Sequence, residues 1–477
     1  MSNRLLRRVS LIPILMTLVL GAASCARNPV TGESQLMLIS EEQEIAMGRE
    51  ADQQITAQYG VYDHPGLNQY IDTIGQEMAQ MSHRPELDYE FKVLDTEVVN
   101  AFAVPGGYIY VTRGILGYLN SEAELAGVLG HEIGHVTARH SMVRMSKATI
   151  FNVGLGVGSM VSEEFAQAAK FAKYGVQVLF LKYSRDDERQ SDRLGVEYSS
   201  QAGYDAHKMA NFFNTLERLN PGGGALPGFF STHPNPEDRV EAINDYTDEF
   251  RQKRGIAAAD TVARERYLRA IEGIAMGENP RDGYTEGNTF YHPNMRFYFP
   301  YPRGWNLTNM PQQVQIVSPD ENAFLLLQVA KATSARAAAE EFVNESEAEV
   351  RWRDPARING LSAYRVRSKV EDLEVLSTFY ELDDRVLVLH GGTNDDFGDY
   401  ANDFELTHQG MDRLTDRSKI DVDVRRLRIK PAPPAGNVRG ALQGLGVPQN
   451  DLEKTAIMNG LNLDESVEAG YLLKVVE

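Results

Sequence analysis

Two histidines and a glutamate stand together in His131-Glu132-Ile133-Gly134-His135. On a helix, positions i and i+4 share one face, so both imidazoles can reach a single metal ion. Glu132, beside them, can hold a water on that ion and take its proton. From Leu125 to Ala138 every other residue except Thr137 is apolar or small. A carboxylate on so apolar a helix is costly unless a charge faces it, and zinc is such a charge. Gly127, Gly130 and Gly134 each cost ~1 kcal/mol in a helix interior, so they must make room for something.

A catalytic zinc takes three protein ligands and keeps a fourth position open. Glu188 and Asp192 are again i and i+4 on a predicted helix. One can ligate while the other accepts a hydrogen bond from a ligand imidazole. Spacing alone leaves open a plain solvated charged face. His140 falls nearly opposite His131 on the helix wheel and reads as a surface residue. His233 follows Gly222-Gly223-Gly224 and Gly228 and precedes Pro234 and a capped helix. A histidine so placed can occupy two positions. In one it is a fourth ligand of zinc, through nitrogen, a latch closing the resting site until substrate displaces it. In the other it donates to the oxyanion while Arg239 orients substrate.

The elements that must position these groups can be read from local pattern. Residues 40–82 have helical spacing, with Ile71, Ile74 and Met78 on one face. Phe91–Leu94, Ala101–Val104 and Tyr108–Val111 read as strands, with Pro105-Gly106-Gly107 as a tight turn. Ser121-Glu122-Ala123-Glu124 is a capping box that opens a helix running to about His140. Helix is expected again over 163–201, and from Asn235-Pro236-Glu237-Asp238 onward. Residues 279–283 and 430–434 are linkers. Between them 296–299, 313–317, 324–329, 363–370, 375–382 and 385–390 are predicted strands, with a helix over 335–343.

The first 24 residues read as an export signal. Arg4, Arg7 and Arg8 precede an apolar run from Val9 to Leu20, and small residues lead into Cys25. Cys25, the single cysteine of 477 residues, stands where a lipoprotein signal places its acylated residue. It excludes any internal disulfide. With 48 Lys+Arg against 67 Asp+Glu, the net charge of −19 excludes nucleic acid as an expected partner.

The His131–His135 helix, followed by Glu188 and Asp192, resembles the HtpX and CAAX-protease family of zinc metallopeptidases. The likeness is to its exported, BepA-type periplasmic members. Asn100-Ala101-Phe102-Ala103-Val104-Pro105-Gly106-Gly107, Tyr183-Ser184-Arg185 and Thr232-His233-Pro234 through Arg239 resemble family motifs in the same order. The likeness covers roughly residues 30 to 250. It implies one zinc per chain, held by His131, His135 and Glu188, with Asp192 and Arg239 behind them and Glu132 as general base. It implies too that an extended peptide pairs with an edge strand near Ala101 to Tyr110, with Asn100, Ala101 and Phe102 as substrate-binding residues. Gln190-Ser191 departs mildly from the family's pattern before Asp192.

The expected class is α+β. A mainly helical zincin-type metallopeptidase domain with a small sheet occupies 25–278. An α+β accessory domain over 279–420 faintly resembles a PsbP-like fold. The last stretch, 421–477, resembles a degenerate LysM unit. Its usual Gly-Asp-Thr start is missing, which argues against peptidoglycan as a ligand. The expected function is a lipid-anchored endopeptidase of the periplasm, at the outer membrane, acting on unfolded or misassembled envelope polypeptides. The alternative is a chaperone-like or scaffold lipoprotein whose zinc site is mostly latched.

Overall fold

The computed structural model describes residues 25–154, 182–219, 228–234, 238–255, 262–434 and 436–477. The expected export signal, the helix over 163–181, the glycines at 222–224 and the Asn235-Pro236-Glu237 cap lie outside them. Two compact units are present. One holds the described residues up to Thr56, Gly60–Met276 and Arg426–Glu477, and the other holds Gly277–Arg425 with Ala57–Tyr59.

In the first unit, β1 (Cys25–Arg27) and β2 (Ser34–Leu36) pair antiparallel. The expected helix over 40–82 is two helices, α1 (Glu41–Tyr59) and α2 (Pro65–Gln80). Gly60 ends the first with φ 69°, and Pro65 opens the second. Three strands follow: β3 (Glu90–Leu94), β4 (Ala101–Val104) and β5 (Tyr108–Thr112). Their order is β3-β5-β4, with β5 parallel to β3 and antiparallel to β4. Only β4 therefore keeps an edge on the side expected to receive a peptide. Tyr108–Tyr110, also placed at that edge from the sequence, lie in the central strand, whose hydrogen-bonding groups are taken on both sides. Gly106, at φ 80°, turns the chain between β4 and β5. A Cβ there would come 3.0 Å from the Ile45 Cα, so its absence also lets α1 lie on the turn.

After the short α3 (Arg113–Leu116) comes α4 (Glu122–Thr137), buried along its whole length. Ser121 caps it by accepting from the Glu124 N–H. The reciprocal half of the expected capping box is not made: the Glu124 carboxylate accepts from the Asn120 N–H instead, at 2.8 Å. The helix ends at Thr137, not at His140, because Arg139 takes a left-handed conformation, φ 58°, and reverses the chain into α5 (His140–Gly154). Then come α6 (Arg185–Gln201), α7 (His207–Leu219), α8 (Phe229–Thr232), α9 (Arg239–Arg254) and α10 (Arg264–Ile271). Glycines set the approach of α4 to α6 and α7. A Cβ on Gly130 would lie 3.0 Å from the Gly195 carbonyl oxygen, and one on Gly127 would lie 2.7 Å from the Met209 Cβ.

Residues 426–477 fold with this unit rather than as a third one. Strand β6 (Leu427–Pro431) pairs antiparallel with β7 (Leu472–Val476). Helices α11 (Val438–Gly444) and α12 (Leu452–Met458) complete a small core with Leu442, Leu452, Leu473 and Val475. Lys474 is wholly buried, and its Nζ donates to the Gly117 and Leu119 carbonyls at 2.8 and 2.6 Å, just ahead of α4. Those bonds join the segment to the helix that carries His131.

The second unit is built on a seven-stranded antiparallel sheet running from the edge strand Glu349–Ile358 to Asn306–Met310. Alternation along its strands serves two faces. Val366, Phe379 and Val388 pack under the helix Ala335–Glu345, while Leu376, Tyr380 and Leu389 pack with Phe404 of the helix Phe397–Gly410. Among the described residues, no helix of the chain is long and apolar enough to cross a membrane.

Candidate metal centre

Helix α4 presents His131 and His135 on one face, as their spacing requires, and their Nε2 atoms are 3.0 Å apart. Glycine contact between α4 and α6 brings Glu188 to them: one carboxylate oxygen is 3.6 Å from His131 Nε2, the other 3.4 Å from His135 Nε2. The α8 turn delivers His233, whose Nδ1 lies 3.3 Å from His131 Nε2 and 3.1 Å from Glu188 Oε1. All four side chains are buried. Donors bound tetrahedrally to zinc at ~2.0–2.1 Å would be about 3.3 Å from one another. The donor set and its spacings therefore fit a zinc ion. Without such an ion, two acceptor nitrogens and a carboxylate would be packed against each other at a desolvation cost.

Glu132 gives the second test of fit. It is completely buried, and neither carboxylate oxygen has a hydrogen-bond partner among the described residues. Its Oε1 lies 3.6 Å from His233 Nε2. Burial pushes its carboxyl up, against the pull of His233 and His131. Burial alone would also raise Glu188, but His233, His135 and His131 hold it well below the usual carboxylate range. Burial keeps His135 neutral, the form a metal ligand needs. Burial likewise pushes His233 down, but Glu188 and Glu132 more than offset this and raise it.

Behind the donors, Asp192 Oδ1 receives His131 Nδ1 at 2.9 Å and the Arg239 guanidinium at 2.7 Å. Arg239 also reaches Glu188 at 3.3 Å and lies flat over Phe213, 3.7 Å from the ring centre. Fully buried, it sets one positive charge against both Asp192, which fixes the His131 imidazole, and the ligand Glu188. Tyr183 stacks on His135, and Phe229 stacks on His233. The structure thus brings together His131, Glu132, His135, Glu188, Asp192, His233 and Arg239.

His140 corrects the sequence reading. It is buried, not on the surface; its Nδ1 is 3.0 Å from His135 Nδ1 and its Nε2 3.0 Å from Gln190 Oε1. It is the partner that fixes the second nitrogen of a ligand histidine, as Asp192 does for His131. No residue type at 138–140 announces the break: the left-handed conformation of Arg139, after which the helix wheel no longer applies, is visible only in the structure.

The expected substrate-binding residues sit differently from one another. Both backbone groups of Asn100 are spent on Thr112 of β5, and its Oδ1 is buried without a partner. Ala101 and Phe102 are buried in β4. The narrow cleft beside His135 is lined by Ala103, Val104 and Pro105 from the far end of β4, facing Tyr183 and Arg139. Cys25 belongs to β1.

Residues 65–247 match the model of peptidase family M48. A putative beta-barrel assembly-enhancing protease of Vibrio cholerae is 30% identical over 207 residues, 42% of this chain and 43% of that protein. The mitochondrial metalloendopeptidase OMA1 of Arabidopsis thaliana is 31% identical over 206 residues, 43% of this chain and 41% of the relative. The chain thus spans less than half the length of these curated relatives. Among solved structures, cyanobacterial PsbP from Synechocystis aligns with 27% of this chain and 95% of its own, at 14% identity and a TM-score of 0.24.

Proposed function

Residues 65–247 are a peptidase family M48 domain, and from that premise we propose that the chain is a zinc endopeptidase of the bacterial cell envelope. Its substrates in this reading are misfolded or unassembled envelope polypeptides, and it is held at the outer membrane by acyl chains on Cys25. The carrying observation is the buried Glu132 carboxylate, without a hydrogen bond among the described residues, beside four converging metal donors. His131, His135 and Glu188 would hold the ion. When bound, zinc polarises the scissile carbonyl and acidifies water. Glu132 takes the water's proton and returns it to the leaving amine. Asp192, His140 and Arg239 keep the two ligand imidazoles aimed. The free edge of β4 offers main-chain pairing to an extended peptide, which suits broad sequence tolerance. The names of the Vibrio and Arabidopsis relatives support a proteolytic role, and the former supports an envelope setting.

His233 acts as the latch in this reading, because its Nδ1 already lies among the other donors. That position also favours the second reading, a chaperone-like protein whose site is seldom open. Metal analysis of the purified chain, with casein cleavage measured before and after chelation, tests the main reading. Stoichiometric zinc with no chelator-sensitive cleavage would favour the chaperone. His233→Ala should raise cleavage of small unstructured peptides. A fall of about a hundredfold would instead mark His233 as an oxyanion donor.

A further inference from the structure

We propose that a cavity between α7, the start of α4 and the C-terminal segment is a binding site for a small organic anion that also carries N–H or O–H donors, a hydroxy- or amido-carboxylate. The cavity measures about 310 Å³ and lies wholly within the first unit, two turns of α4 ahead of His131. That volume suits a molecule of about the size of a sugar acid or a capped amino acid.

Charge is the first argument. Lys208, Arg218 and Arg264 converge on this cavity in a chain whose net charge is −19. Arg218 and Arg264 are held in place by the Leu461 and Leu472 carbonyls, at 2.8 and 2.9 Å, and Arg264 lies over the Tyr471 ring. Lys208, half-buried on α7, has no ion pair or side-chain hydrogen bond among the described residues. The acid in the wall, Glu124, is pushed up to about 7 by burial, so near neutrality it offsets only part of that charge. A cluster of fixed cations with one amine unpaired is what a carboxylate would complete.

The second argument comes from the amides. Asn120, in the same wall and buried, spends its Nδ2 on the Tyr118 carbonyl at 3.1 Å and leaves its Oδ1 with no donor. A buried acceptor left unmet is destabilising, and a ligand N–H or O–H would recover that loss. Asn211 extends the polar wall along α7. A bare inorganic anion would meet Lys208 and leave Asn120 unmet, while a neutral polyol would do the reverse. The pair of demands selects a ligand with both features.

Isothermal titration calorimetry on the purified full chain tests this, with glucuronate, N-acetylalanine and sulfate, an anion without a donor, as probes. At least one carboxylate should bind with a Kd of about a millimolar or tighter, and sulfate more weakly. Which carboxylate binds tells whether hydroxyl or amide donors are read. Lys208→Gln, a half-buried helix position whose fold is checked by circular dichroism, should weaken binding roughly tenfold. Asn211→Ala should weaken it less. Three results overturn the proposal: no binding of any probe at about 10 mM, equal affinity in Lys208→Gln, or sulfate binding as tightly as the carboxylates. Because the readout is binding, none of these results depends on peptidase activity.

Discussion

Glu132 has no structural reason to be where it is. A fully buried carboxylate without a hydrogen bond destabilises the fold, so its value must be chemical. Glu132→Gln should retain the metal, measured by atomic absorption, yet cleave casein at least ~100-fold more slowly, because an amide cannot take the proton. Cleavage near the wild-type rate would reject the general-base role. His140→Ala asks a separate question. With the Nδ1 of His135 released, metal affinity should fall about 10–100-fold in competition with a fluorescent chelator. An unchanged affinity would mean that His135 is held by Tyr183 stacking alone. These two positions also show what local sequence carries. His131 and His135 were legible because i and i+4 on a helix is a geometric statement, with Glu132 between them. Glu188 and Asp192 needed the family resemblance, because their spacing alone also fits a solvated charged face. His140 was not legible, because one left-handed residue, Arg139, removed it from the helix on which it was being counted.

Between elements, the spacing of the site is set by missing side chains. Gly130 of α4 meets Gly195 of α6, and a methyl group on Gly195 would stand 3.0 Å from the His131 backbone nitrogen. Gly195→Ala should push the helix bearing Glu188 and Asp192 away from the one bearing the histidines. The expected cost is about 1–3 kcal/mol in denaturant unfolding, with zinc occupancy reduced as well. Full occupancy with unchanged stability would show that the contact can relax. The sequence carried this signal as three glycines that a helix should not tolerate, and the structure supplies the neighbours they serve. The accessory strands were legible where β-branched and aromatic residues cluster, as at Leu361–Val370 and Leu373–Leu382. The ten-residue strand Glu349–Ile358 was not, since it is a largely exposed edge with Pro355 in it and has no buried alternate face to read.

At the scale of the molecule, buried histidines should make both units sensitive to acid. In the second, burial pushes His292 and His390 down to about 4, and His408 well below its ordinary value. A histidine depressed in the folded state binds its proton only on unfolding. Its stabilising contribution is therefore complete above about pH 6.5 and is lost as pH falls toward 4. Each of the first two contributes roughly 2–3 kcal/mol across that window. Both tryptophans, Trp305 and Trp352, lie in this unit, so tryptophan fluorescence reports its melting. The fluorescence-detected Tm should drop clearly between pH 7.5 and pH 5, and an unchanged Tm would refute the assignment. The attachment of residues 426–477 to the first unit was the least legible feature, because no local pattern can announce that Lys474 bonds to a carbonyl 357 positions away. That bond also imposes an order of events on biosynthesis. A nascent chain emerges from Met1 onward, and the helix with both ligand histidines is made long before Lys474 exists to support its first turn. Until Leu472–Val476 has been made, the approach to this turn lacks the strand that supports it, so the first unit cannot be complete before the whole of Gly277–Arg425 has been synthesised.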